Sequence, residues 1–69
     1  MQLIRLPETL AKTGLSRTRL YEAMAAGTFP KPVKLGPNAR AVAWPVEEID
    51  VWIADRIADR DAAWNAEPA

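Results

Sequence analysis

The stretch Thr13-Gly14-Leu15-Ser16-Arg17-Thr18-Arg19-Leu20-Tyr21 decides how the rest of the chain is read. Gly14 can supply the positive φ of a tight turn, and Ser16 can cap a following helix by accepting from its free amides. Arg17 and Arg19 then fall in the first helical turn. The helix macrodipole is positive there and favours acids over cations by roughly 0.3–1 kcal/mol. Two guanidinium groups at this end therefore ask for an anion from outside the chain. A polyanion would meet both arginines, the Ser16 and Thr18 hydroxyls and unpaired backbone amides together. The alternative is an ordinary solvated surface, and the preceding residues weigh against it.

Upstream, Pro7 suits a first helical position and Glu8 agrees with the dipole, which predicts a helix from Pro7 to Lys12 or Thr13. Leu6, Leu10 and Ala11, with Leu15 after the turn, fall at helical spacing as one buried stripe. Leu3 and Ile4 form either a brief extended lead-in or a pad beneath this helix. Downstream, a second helix runs from Ser16 to Ala26 and stops at Gly27, a suitable left-handed C-terminal residue. Leu20, Ala23 and Met24 make its inner face. Arg17, Thr18, Arg19 and Tyr21 are left toward solvent or a ligand, unless Tyr21 completes the core. Two short helices joined through Gly14, the second opening with polar and basic residues, form a helix-turn-helix.

Pro30 and Pro32 exclude helix from Thr28-Phe29-Pro30-Lys31-Pro32, and Phe29 is expected to pin this corner to the core. Val33-Lys34-Leu35 and Arg40-Ala41-Val42-Ala43-Trp44 read as strands of a β-hairpin around Gly36-Pro37-Asn38-Ala39, where Pro and Asn are good turn chemistry. Alternation places Val33 and Leu35 inward with Val42 and Trp44, and Lys34 outward. Arg40 shares the inward phase unless twist swings it out. A hairpin carrying Lys31, Lys34, Asn38 and Arg40 is what a wing on a DNA backbone or minor groove needs; the other reading is a hairpin that only covers the core. Pro45 opens a third helix, with Glu47 and Glu48 suited to its first turn. Ile49, Trp52, Ile53 and Ile57 recur at three and four residues as a core-closing face. The outer face carries Glu47, Glu48, Asp50, Asp55, Asp59 and Asp61 and should point away from DNA. Trp64 is expected to fold back as core, the alternative being to dock a second copy. Residues 65–69 are expected to fray.

At 69 residues the chain is expected to be one domain, 1–69, near the lower limit for a self-sufficient core. It has no cysteine and no histidine, which removes thiolate sites, the commonest zinc ligand and the usual general base. The carboxylates lie on a solvated helix face with no glycine-rich phosphate loop, so neither an enzyme nor a metal or cofactor protein is expected. No apolar run is long enough for a membrane and the amino terminus lacks a signal-peptide layout, which gives a cytoplasmic protein as the expectation. The net charge of zero hides a segregation: seven basic residues against two acids from Met1 to Arg40, and two against seven from Ala41 onward. The asymmetry suggests that one end meets an anion while the other stays solvated or meets a protein, the alternative being a merely mixed surface.

The order of these pieces resembles the AlpA family of small phage and prophage regulators, related to excisionases and to the DNA-binding end of MerR-type regulators. The matching residues are Thr13-Gly14-x-Ser16 leading into Leu20-Tyr21, then Gly27-x-Phe29-Pro30-x-Pro32, a hairpin with Gly36, Arg40 and Trp44, then Glu48-Ile49 and Trp52. Gly36–Arg40 is slightly longer than many family hairpins, and the last helix is more acidic. The resemblance implies a mainly α fold with a small β-hairpin, a winged helix-turn-helix. In it the second helix enters the major groove and the hairpin contacts the flanking backbone. Arg17, Thr18, Arg19 and Tyr21 match the reading helix, and Lys34, Asn38 and Arg40 the wing. The function expected is sequence-specific DNA-binding transcriptional regulation. The alternatives are an excisionase-like factor that bends DNA and recruits an integrase, and a protein-interaction adaptor using the acidic helix. The expected partner is double-stranded DNA, bound by two or more copies side by side, since one such module covers only on the order of 600–1,000 Å².

Overall fold

The structure, a computed structural model, describes residues 1–38 and 40–66, with side chains to Trp64. Its elements in chain order are β1 (Leu3–Ile4), α1 (Leu6–Thr13), α2 (Arg17–Ala26), β2 (Val33–Lys34), β3 (Val42–Pro45) and α3 (Val46–Ala66). The three strands form an antiparallel sheet in the order β1-β3-β2. This is the mainly helical, hairpin-bearing architecture of a winged helix-turn-helix. Of the tail expected to fray, residues 67–69 lie outside the described residues, as does Ala39 of the hairpin turn.

Local chemistry sets the helix ends. α1 has Pro7 and Glu8 in its first turn and ends at Gly14, whose φ of 76° lets its N–H reach the Leu10 carbonyl at 2.8 Å. α2 ends at Gly27, φ 78°, with the Gly27 N–H on the Met24 carbonyl and the Thr28 N–H on the Ala23 carbonyl. That pair of bonds is the Schellman arrangement, which satisfies carbonyls a helix end would otherwise strand. At the hairpin tip Asn38 takes φ 62°, the left-handed conformation its short polar side chain tolerates.

Leu3 and Ile4, left open by the sequence, form a third strand. Leu3 pairs with Pro45 and Ile4 with Trp44, and the Val46 N–H extends the pairing to the Gln2 carbonyl at 2.8 Å. β3 is thereby the central strand, and Ala43, Trp44 and Pro45 are all buried. The core joins Ile4, Leu20, Phe29, Trp44 and Ile49. Phe29 meets Trp44 and Trp52 edge to face, with ring centroids 6.2 and 5.1 Å away. Each indole N–H is satisfied on the same loop, Trp44 donating to the Pro30 carbonyl and Trp52 to the Thr28 carbonyl, both at 2.8 Å. The proline-rich corner is thus pinned by Phe29, as its sequence predicts.

Four expectations are corrected. Ala11 is exposed and Thr9 takes the core position instead, fully buried with its hydroxyl donating to the Arg5 carbonyl at 2.9 Å. A hydroxyl that bonds back one turn can occupy an apolar stripe, because its desolvation is compensated. Val33 and Leu35 do not point inward with Val42 and Trp44. The register pairs Val33 with Ala43 and Lys34 with Val42, one residue out of the expected phase, and both Val33, on the edge strand, and Leu35, just past it, stay exposed. Arg40, whose side the alternation left open, is exposed. Ile57 is 46% exposed and Trp64 76% exposed, so neither belongs to the core. α3 packs on β3 and α1 through Ile49, Trp52 and Ile53 and then runs past them. A 21-residue helix is about 31 Å long, which gives the molecule its elongated shape of 53 × 25 × 19 Å.

Candidate nucleic-acid interface

Three residues, Gly14 to Ser16, join α1 to α2. They are braced from both sides. The Thr13 hydroxyl donates to the Thr9 carbonyl at 2.8 Å and accepts from the Leu15 N–H at 3.3 Å. Ser16 is extended, with φ −78° and ψ 163°, and its side chain accepts from the Arg19 N–H at 3.2 Å. That cap uses one free donor. The amides of Arg17 and Thr18 have no carbonyl one turn back within the helix and remain as donors at its mouth.

Leu20, fully buried, fixes the roll of α2. At about 100° per residue, Thr18 and Glu22 then lie opposite it, Arg17 and Tyr21 to one side and Arg19 to the other. All are exposed, and Tyr21 does not enter the core. No acid occupies the first turn of α2. Arg19 lies 3.7 Å from Glu22, but with side chains 77% and 61% exposed. An exposed pair of this kind contributes a few tenths of a kcal/mol, too little to hold the guanidinium against a competing anion.

The hairpin offers a second cationic set. Lys31 precedes β2, Lys34 lies within it, Asn38 is at the turn and Arg40 follows, and all four side chains are exposed. The nine residues singled out from sequence, Ser16, Arg17, Thr18, Arg19 and Tyr21 on α2 with these four on the hairpin, thus fall into two exposed groups on consecutive elements. Two further features were missed. Glu22 stands among the cations of α2, which its spacing of three from Arg19 could have revealed. Lys12 is drawn to Asp50 of α3 at 3.0 Å, a tertiary contact with no sequence signal, and this takes one cation out of the basic end.

Among the described residues no cluster of acids could hold a metal ion, and no described helix is long and apolar enough to cross a membrane. A short-turned helix pair backed by a three-stranded sheet with an exposed hairpin defines the class, a small winged helix-turn-helix protein. Within that class, the chain belongs to the family of the prophage CP4-57 regulatory protein AlpA, which it matches over residues 2–57. It is 40% identical over 65 residues to the uncharacterized protein ORF88 of Enterobacteria phage P4, covering 94% of this chain and 72% of the relative. It is 34% identical over 62 residues to the DNA-binding transcriptional activator AlpA of Escherichia coli K12, covering 81% of this chain and 86% of the relative. No solved structure matches.

Proposed function

We propose that residues 1–69 act as one sequence-specific DNA-binding unit and a transcriptional regulator of the phage and prophage type. The observation that carries this reading is the cationic mouth of α2: two exposed arginines, a capping serine and free amides, held against the helix dipole with no acid in the first turn. The activator named among the relatives supports it. α2 lies in the major groove, where an arginine pairs with a guanine edge and Thr18 and Tyr21 face neighbouring bases. Lys31, Lys34, Asn38 and Arg40 hold the flanking phosphates, which fix register without reading sequence. Two or more copies bind side by side, because a single module of this size gives a small interface.

The test is binding to DNA flanking the native gene, measured by fluorescence anisotropy over a series of salt concentrations and located by footprinting. A protected site and an affinity that falls steeply with salt are expected, since each phosphate contact releases counterions. No association at low ionic strength would overturn the reading. Binding that strongly bends the DNA and depends on an integrase would move the function from transcription to recombination.

A further inference from the structure

A different feature lies at the far end of α2. Between Gly27–Pro30 and the first turns of α3 runs an open groove of about 460 Å³. Phe29 and Trp52 form its floor, and Trp52 is fixed there by its bond to the Thr28 carbonyl. Val51, 60% exposed, adds an aliphatic wall. Glu47, Glu48 and Asp55 make the rim, and no lysine or arginine is among the described residues lining the groove, although the Arg56 guanidinium stacks on the Trp52 ring at 5.6 Å. α2 has ten residues and so is about 15 Å long, which separates this groove from the Arg17 and Arg19 end by the length of that helix.

The charge on the rim selects the occupant. Three carboxylates around an apolar floor repel phosphate backbones and anionic lipid alike, whereas they complement lysine or arginine. Two cationic, apolar segments of the chain stand out: Leu3-Ile4-Arg5-Leu6, paired into the sheet through β1, and Lys31-Pro32-Val33-Lys34-Leu35, the hairpin segment whose lysines face DNA in the reading above. Neither is free to fill the groove of a second copy on DNA. We propose that the groove docks a basic, apolar segment of a different protein, with an aliphatic or aromatic anchor on Phe29 and Trp52 and cations on Glu47, Glu48 and Asp55. The inference rests on the DNA reading only for assigning Lys31 and Lys34 elsewhere. Because Arg17 and Arg19 lie at the opposite end of α2 from the groove, base reading and partner docking can occur together, with Lys31, which adjoins Pro30, bordering both surfaces.

A synthetic amphipathic peptide of leucine and lysine, and its counterpart with glutamate for lysine, are titrated into the ¹⁵N-labelled full chain with and without DNA. The lysine peptide is expected to shift the Trp52 indole N–H and the Val51 amide and to saturate, while the glutamate peptide leaves both unmoved. The triple variant E47Q/E48Q/V51S should bind the lysine peptide about tenfold more weakly, the loss expected when an anchor wall and two charge partners go together. V51S alone, at an exposed position, should give part of that loss and serves if the triple variant fails to fold. The variant R17A/R19A should bind the peptide like the parent while losing DNA, which separates failure of this inference from failure of the DNA reading. Undiminished binding by the groove variants, shifts confined to Asp59 and Asp61, or concentration-dependent shifts of Trp52 without peptide, meaning that a second copy fills the groove, would each overturn it.

Discussion

α2 and α3 treat the same helix field in opposite ways. α3 opens with Glu47 and Glu48, acids that its positive end stabilises, and its later cations Arg56 and Arg60 are paired with Asp59 and Asp61 at 2.7 and 2.8 Å. Its first turn and its two arginines are thus settled within the chain. α2 opens with Arg17 and Arg19 and has no acid in its first turn, so its charge is settled only when something anionic arrives. A locally unfavourable choice on an otherwise well-capped helix points to use, since functional positions are where local consistency is given up. Both helices pack on the core around Trp44, and the Lys12–Asp50 bridge ties α1 to α3.

The largest effect should come from removing what both regions share. Trp44 is 1% exposed and touches Phe29, and Trp44→Ala should cost about 3–5 kcal/mol. A domain this small has only a few kcal/mol to lose, so the sheet and α2 should melt together in a urea titration followed by circular dichroism. A cooperative, folded Trp44→Ala variant would break the claim that one core supports both ends. Next in size, the double change R17A/R19A should abolish specific DNA binding, since each bidentate base contact is worth about 1–3 kcal/mol of discrimination. Its thermal midpoint should stay unchanged or rise slightly, because the dipole no longer opposes two cations. Loss of folding instead would make the arginines structural and erase the contrast with α3. A smaller effect is expected at the bridge between α1 and α3. Lys12 and Asp50 have side chains 39% and 57% exposed, and Lys12→Ala should lower stability by about 0–1 kcal/mol. DNA affinity should hold, because this ammonium is already turned toward α3. A marked fall in affinity would place Lys12 on the DNA.

What the sequence discloses and what it hides follow from range. Gly14, Ser16, Gly27 and Asn38 act through their own backbone angles and the adjacent turn, so their roles could be read from residue type alone. Phe29 was legible for a related reason, since a large apolar residue between the helix-ending Gly27 and Pro30 has few places to go. The pairing of Leu3 and Ile4 was not legible, because two-residue strands are defined by their partner. The same shortness left the phase of Val33 open, as a shift of one residue exchanges the two faces. Thr9 escaped because apolar periodicity does not count a hydroxyl that satisfies itself on the preceding turn. Ile57 and Trp64 show the converse limit: periodicity marks the face of a helix but not where the body packed against it ends. In the candidate site, exposure of the cations could be read from the position of Leu20, whereas the diversion of Lys12 depends on residues 38 positions apart in the chain.

Glu22 offers the finest adjustment of the comparison, because it is the one acid in α2. It lies opposite Leu20, on the outward face, and draws Arg19 to within 3.7 Å. Free in solution the pair is worth about 0.2–0.5 kcal/mol, so Glu22→Gln should leave the thermal midpoint almost unmoved. Against DNA the carboxylate acts twice, competing for Arg19 and repelling the phosphates, and its neutralisation should raise affinity severalfold at low salt. The gain should shrink as salt is added, since charges farther apart than the Debye length of about 10 Å at 0.1 M are screened. Anisotropy titrations of parent and variant at two ionic strengths measure this directly. A loss of affinity confined to one DNA sequence would give Glu22 the opposite role, accepting from a cytosine amino group. In that case α2 reads bases with an acid as well as with its arginines, and the division of charge between the two helices is less complete than their first turns suggest.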